Sequence, residues 1–310
     1  MDVSIVVVNY NSSHVLPKCL DSIFYSYTAL KYEVIVVDNA SSDGGIKILK
    51  EKYKEVRFIE SSANLGYPGG ANRGVRWATG RAVLLLNPDA QLNKNTLQVL
   101  YERLMSSAVA GIAGPKVFYA DGTLQSREVP KKSPALFDIF YDVFYLNRIL
   151  KNHPVINAYY GAGFDYEKEQ RVDVVHGSCF MVKKEVFEAV GFLDEKFFLY
   201  FDEFDFCLRA ARAGYQSLYV PSASIAHQGG ESAKKCGRKR TWFYYDSLIY
   251  FFRKHYGCGQ ACGLYLINLF GNFFRLFTIP LHILKDRDLE RAREIFWAMV
   301  YHLDIRHFIR

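Results

Sequence analysis

The chain has 310 residues, half of them hydrophobic and 23% charged. That length admits one large domain or two smaller ones, and the composition excludes wholesale disorder. The net charge of +7 (39 Lys and Arg against 32 Asp and Glu) suits an anionic substrate or a phospholipid surface, while the absence of a basic tract interleaved with aromatics argues against a nucleic-acid partner.

The N-terminal half alternates strands with helices. "VSIVVVNY" (3–10) reads as a buried strand, residues 14–27 as a helix, and "YEVIVVDN" (32–39) as a second buried strand. Residues 41–53 start with Ser and Asp as capping residues and continue as a helix. A third strand covers 55–61, a short helix opened by Pro and Gly covers 67–80, and a fourth strand covers 81–87. This rhythm predicts βαβ units on a parallel sheet. Pro88 ends the fourth strand, since it lacks an N–H and restrains the residue before it.

The rhythm then changes. A helix over 94–106 leads to residues 109–126, with a turn at Asp121-Gly122. Residues 134–150 form an aromatic-rich amphipathic helix. Residues 171–191 give a strand pair and a short helix, and 201–215 another helix. Residues 216–232 read as strand, turn and strand, and the chain is helical from Thr241 onward. The six cysteines are scattered, with Cys258 and Cys262 the one close pair, so they are expected to be reduced and mostly structural. The first strand begins at Val3, which leaves no room for a signal peptide and suggests a cytoplasmic location.

In an open α/β sheet, ligands bind at the carboxyl ends of the strands. There the chain offers Asn9 and Asn11, then Asp38 and Asn39, then the loop "NLGYPGGAN", then Asn87-Pro88-Asp89. Asp38 stands where an acidic residue can bind a ribose or a base edge, although a capping role in "DNASSDG" is the plainer alternative. The loop supplies Gly66 and its neighbours for close backbone approach, with Asn64 and Asn72 for amide hydrogen bonds. It is neither GxGxxG nor a P-loop, which disfavours a plain dinucleotide or ATP site.

Seven segments stand in a telling order: "SIVVVNYNS", "VIVVDNASSDG", "NLGYPGGANRG", "LLLNPDA", "GSCFMVKKEVFEAVGFLDEKFF", "FDEFDFCLRA" and "AHQGGES". Together they resemble family 2 glycosyltransferases, and within them the rhamnosyltransferase-like branch that builds surface polysaccharides. The resemblance covers about residues 3–255. It implies an α/β fold of the GT-A type, a Rossmann-like mixed sheet flanked by helices. It also implies an inverting transfer of a sugar, rhamnose being one candidate, from a nucleoside-diphosphate sugar to a carbohydrate or polyprenyl-linked acceptor. A divalent cation, Mg²⁺ or Mn²⁺, is implied as cofactor. A nucleoside diphosphate gains charge as it leaves, and a bound cation stabilises that charge. The other reading, from a different functional class, is a non-catalytic membrane-associated sugar-nucleotide scaffold.

By the same resemblance, Asn87-Pro88-Asp89 matches the family's Asp-x-Asp motif, so Asp89 would hold the metal. His227 would complete the metal site or contact the diphosphate, against a plain reading as a strand-end histidine bonded to backbone. His176 would line the acceptor pocket, with a core role equally open. In "YFDEFDF" the family's Glu-Asp order is inverted. Glu203 falls at the position of the general base and Asp202 beside it, with Asp202 still a candidate for that role. Asp205 and Arg209, at i and i+4, more naturally form a structural pair.

Two features lie beyond these motifs. "KKCGRKR" (234–240) is either a solvated loop or a lid carrying cations to a diphosphate. Residues 263–285 are apolar on nearly every side, but Asn268, Asn272, Arg275 and Pro280 interrupt them. An in-plane interfacial helix fits better than a span, with Lys285 and Arg287 near headgroups; packing in a homodimer is the alternative. The expected organisation is a catalytic domain over 1–255 and a C-terminal helical extension over 256–310. The protein would then lie peripherally on the inner face of the plasma membrane.

Overall fold

The computed structural model describes residues 1–126, 132–151, 153–229, 237–279 and 289–304. The first elements are β1 (Val3–Asn9), α1 (Leu16–Phe24), β2 (Tyr32–Asp38), α2 (Ile46–Lys52), β3 (Arg57–Glu60), α3 (Gly66–Val75) and β4 (Ala82–Leu86). Then come β5 (Ala90–Leu92), α4 (Thr96–Ser106), β6 (Ala110–Phe118), α5 (Leu136–Val143), α6 (Leu146–Ile149), β7 (Gln170–Val172), β8 (Cys179–Lys183) and α7 (Lys184–Val190). The last are α8 (Asp202–Arg212), β9 (Gln216–His227), α9 (Arg238–Tyr256), α10 (Cys258–Leu276) and α11 (Leu289–Leu303).

Among the described residues the strands form one nine-stranded sheet in the order β3-β2-β1-β4-β8-β6-β9-β5, with β7 also paired to β9. The β3-β2-β1-β4 half is parallel, as the alternation predicts. β8 then runs antiparallel to both β4 and β6, so the whole sheet is mixed. Central parallel strands are covered on both faces, and β1 and β4 are accordingly apolar and buried almost throughout. Helix α1 adds Leu16, Cys19, Leu20 and Ile23, a buried stripe at helical spacing. On α3, Gly74 lets the helix approach β1 closely: a Cβ there would lie 2.4 Å from Val6 Cγ1.

Two compact units result. One comprises 1–133, 164–198 and 202–232 and holds the sheet; the other comprises 134–163, 199–201 and 233–310 and is helical. The second unit thus takes in α5, α6 and α9 as well as the residues beyond 255, a different division from the sequence expectation. Within it α10 packs on α5, where Gly271 has no room for a side chain beside Val143. Among the described residues no helix is long and apolar enough to cross a membrane.

Four segments depart from the local reading. Residues 109–118, read only as a lead-in to a turn, form β6, and the short strand β5 follows Asp89 directly. Residues 216–227 are one strand, not two. Pro221 sits in a bulge, because β9 residues 220 and 224 pair with adjacent residues 115 and 116 of β6, so its missing N–H interrupts no ladder bond. The helix expected over 134–150 breaks at Tyr145, which adopts φ 60. Arg275 donates to the carbonyls of Asp142 and Val143, which a continuing helix would have used itself.

Candidate active site

Register places the polar strand ends along one edge of the sheet. β1 pairs with β2 so that Asn9 faces Asp38. The Asn9 amide nitrogen donates to Asp38 Oδ1 at 2.8 Å and to Ser41 Oγ at 3.1 Å, and its buried Oδ1 accepts from no donor among the described residues. Asp38 Oδ2 accepts from the Ser41 N–H, so part of its role is the local turn. Ser41 and Asp43, expected to cap α2, instead bridge to the β1–α1 loop: Ser41 Oγ accepts from Asn11 N, and Asp43 accepts from Ser13. Asn11, at φ 51, accepts from Ser42 N at 2.7 Å. The loop before α3 is closed by Asn39, which donates to Asn64 Oδ1 and to the Gly66 carbonyl. Gly66 has φ 72, and a Cβ there would lie 2.5 Å from the Phe198 carbonyl oxygen, so no other residue fits.

Further along the same edge, β4 is followed by Asn87, whose N–H donates to the Ser178 carbonyl. β5 then pairs antiparallel with β9 so that Ala90 faces His227. That register brings His227 Nε2 to 3.4 Å from Asp89 Oδ1 and 3.5 Å from Asn87 Nδ2. Both Asp89 and His227 are 5% exposed. The His176 ring lies 5.5 Å from that of His227, and its Nδ1 is 2.6 Å from Ser178 Oγ. Gln125 packs behind His227: its Nε2 donates to the His227 carbonyl at 2.7 Å, and its Oε1 lies 3.3 Å from Nδ1.

A carboxylate oxygen and an imidazole nitrogen converging at this distance make a donor set that suits a hard divalent cation. Among the described residues no group of three or more His, Cys, Asp or Glu side chains is arranged to hold a metal. A pair is nevertheless sufficient in kind, since such cations keep water and take further oxygens from phosphates.

Helix α8 begins with Asp202, Glu203 and Asp205 in its first turn. The two residues before it, Tyr200 and Phe201, adopt φ 68 and 62, a backbone conformation that costs non-glycine residues energy. Asp205 is fully buried and accepts from Arg209 Nε at 2.8 Å, while the guanidinium also donates to the Val190 and Phe192 carbonyls. This is the structural pair the spacing predicts. Glu203 lies over the turn after His176, where a Cβ on Gly177 would sit 3.1 Å from Glu203 Oε1. Burial pushes the Glu203 carboxyl up to about 7. Burial first, and the neighbouring Glu203 second, push Asp202 well above the carboxylate range. Tyr67 is close enough that both carboxyls, after burial, raise its hydroxyl as well.

The structure therefore gathers Asn9, Asn11, Asp38, Asn64 and Gly66 into interlocked loops at one stretch of the edge, and Asn87, Asp89, His227 and His176 into a second cluster. Asp202 and Glu203 stand by the His176–Gly177 turn. Asn72 goes elsewhere: its amide donates to Leu193 O and Glu195 Oε1, and its oxygen accepts from Leu193 N. Asn39, expected at the polar end of β2, is the residue that closes the α3 loop. Sequence reasoning missed Ser41, Tyr67 and Gln125. Ser41 lies inside "DNASSDG" and Tyr67 inside "NLGYPGG", so those motifs carried a signal; Gln125 had none.

The profile described as glycosyl transferase family 2 matches residues 4–191. The chain is 32% identical over 217 residues to the low-salt glycan biosynthesis hexosyltransferase Agl10 of Haloferax volcanii, covering 68% of this chain and 62% of that protein. It therefore spans somewhat less than two thirds of that relative's length. It is 28% identical over 241 residues to the N-acetylglucosaminyl-diphospho-decaprenol L-rhamnosyltransferase of Mycobacterium tuberculosis, covering 74% and 76% of the two chains. In fold it is similar to the mannosyltransferase PcManGT of Pyrobaculum calidifontis, solved with GDP-Man and Mn²⁺, at TM-score 0.57 and 17% identity over 97% of this chain and 87% of that one. It is likewise similar to residues 1–349 of S. aureus TarS, at TM-score 0.53 and 15% identity over 99% and 91%. With its profile match over more than half its length, the chain belongs to glycosyl transferase family 2.

Proposed function

We propose that the chain is an inverting, metal-dependent glycosyltransferase that moves a hexose, rhamnose being one candidate, from a nucleoside-diphosphate sugar to a carbohydrate or polyprenyl-linked acceptor. The observation that carries this is a polar loop cradle at Asn9 and Asp38 and an acidic-imidazole pair at Asp89 and His227 along one sheet edge, with a carboxyl near neutrality at Glu203 of α8 beside the His176–Gly177 turn. The loop groups would take the nucleoside. Asp89 and His227 would hold the cation, which when bound offsets the charge on the departing diphosphate. Glu203 would accept the proton of the acceptor hydroxyl as that oxygen attacks the anomeric carbon. A base works best with a pKa near the working pH, which favours Glu203 over the more deeply buried Asp202. Asp202, whose carboxyl burial and the neighbouring Glu203 hold well above the carboxylate range, would orient it.

The acceptor side of the reading draws on the Mycobacterium relative, whose name specifies a decaprenol-linked substrate. It also draws on α10. Leu266, Phe270, Phe273 and Phe274 of α10, with Phe277 just beyond, are all exposed at helical spacing. Asn268 and Asn272, which interrupt the apolar run in sequence, are on the buried face, and Arg275 is ion-paired with Asp142. The remaining face is thus continuously apolar, as suits a helix lying in the membrane surface. Pro280, Lys285 and Arg287, and most of "KKCGRKR", lie outside the described residues.

The test is release of nucleoside diphosphate from a panel of nucleoside-diphosphate hexoses, with and without Mn²⁺ or Mg²⁺ and with a prenyl-diphosphate sugar as acceptor. Metal-dependent release with sugar appearing on the acceptor supports the reading. Donor binding without any turnover would favour the scaffold alternative.

A further inference from the structure

We infer that Gln125 is a positioning residue: its amide fixes the His227 imidazole as the Nδ1–H tautomer and leaves Nε2 unprotonated toward Asp89. The inference rests on the metal-dependent reading above and goes on to say what prepares the ligand atom.

The His227 carbonyl can only accept, so the Gln125 atom 2.7 Å from it must be the nitrogen. The Gln125 oxygen is then the atom 3.3 Å from Nδ1. An amide oxygen can only accept, so Nδ1 carries the hydrogen. In the neutral ring Nε2 then has a lone pair. It faces Asp89 Oδ1 at 3.4 Å, another acceptor, with the Asn87 amide nitrogen at 3.5 Å as a long and weak donor. Two acceptors turned toward each other are unfavourable unless a proton or a cation lies between them. The reverse tautomer would satisfy Asp89 with an Nε2–H and leave nothing for a metal. It would also set Nδ1 lone pair against Gln125 oxygen. Gln125 is 1% exposed, and its own N–H donates to the Val117 carbonyl, so its backbone is anchored to β6. Outer partners of this kind orient ligating histidines and raise their affinity. Loss of such a partner typically costs 10–100-fold in metal affinity.

The test uses metal-free, ¹⁵N-histidine-labelled protein at a pH that keeps the rings neutral, with the His227 signals assigned by their absence in His227→Gln. The wild type is expected to show Nδ1 protonated and Nε2 not. In Gln125→Leu the ring is expected to turn over to the Nε2–H form, with Asp89 as acceptor. Mn²⁺ affinity in the presence of a nucleoside diphosphate, read from the free-ion EPR signal, should fall about 10–100-fold. Gln125→Glu, buried and carrying its proton on the oxygen that faces the His227 carbonyl, replaces the amide donor with an O–H and keeps an acceptor opposite Nδ1, so it should keep both the tautomer and near wild-type affinity. It also decides the matter, with the wild-type spectrum, if the Leu variant does not fold. A neutral wild-type ring in the Nε2–H form overturns the inference, as does Gln125→Leu binding Mn²⁺ as tightly as wild type. If the wild type shows the Nδ1–H tautomer and takes up no Mn²⁺, the metal reading fails while the hold of Gln125 on the ring stands.

Discussion

Glu203→Gln separates what the carboxyl does in chemistry from what it costs the fold. Burial raises this group from 4.5 to about 7. Its charged form is therefore disfavoured in the native protein by roughly 1–3 kcal/mol, at 1.36 kcal/mol for each pKa unit and allowing for its partial exposure. Because the native pKa lies above the unfolded one, the native state holds the proton more tightly. Stability is then fully present below about pH 4.5 and declines as pH rises through about 7. Glutamine is neutral at every pH, so the variant is expected to match wild type near pH 4 and to exceed it by roughly 1–3 kcal/mol at pH 8 in urea melts.

Catalysis moves the other way. Wild-type kcat/KM is expected to climb with pH through about 7 as the base ionises. The variant is expected to lose that limb and about a hundredfold or more of turnover, the low end for a missing general base. Donor Kd should stay near wild type, because the loops and the Asp89–His227 pair are untouched. Normal turnover by Glu203→Gln, with the acidic limb intact, would refute a general-base role for Glu203. If Asp202→Asn abolishes turnover instead, the two carboxyls have exchanged roles. If both variants are active, α8 does not serve the acceptor.

Other outcomes check other parts. Asp89→Ala should abolish the gain in nucleoside-diphosphate affinity that Mn²⁺ confers, measured by calorimetry, without unfolding the chain; equal affinity with and without metal in wild type would count against the cation site. Asn72→Ala should lower stability by about 1–3 kcal/mol, since it strands the buried Leu193 N–H and carbonyl, and leave donor Kd unchanged. A weakened donor Kd in the folded variant would return Asn72 to the binding site. Phe270→Ser with Phe273→Ser should reduce flotation with anionic vesicles severalfold; unchanged flotation, or none in wild type, would point to α10 as a packing element.

How much of this could be read from the chain depends on the range of the interaction that decides each feature. The β3-β2-β1-β4 half was legible because its strands are apolar runs separated by helices, and parallel pairing of successive βαβ units leaves little choice. The antiparallel half was not. β8, β6, β9 and β5 pair out of chain order, and Pro221 looked like a turn because only the register against β6 reveals the bulge around it. The same holds within the site. Asn9 and Asp38 are set by two adjacent strands and were found together. Asn72, eight residues beyond Asn64 in the same glycine-rich loop and helix, looked equivalent, yet α3 turns its amide to a segment 121 residues away. Asp89 and His227 were each singled out by resemblance, but only the β5–β9 register, which brings Asn87 and His227 together across 140 residues, makes them a pair. Gln125 had neither a motif nor a local pattern. Its importance arises from a backbone carbonyl that dictates which end of an amide faces a ring, and such a constraint exists only once β9 has brought His227 beside it. The chemistry-bearing residue types were visible in the sequence; which of their atoms are left available for chemistry is decided by the long-range sheet.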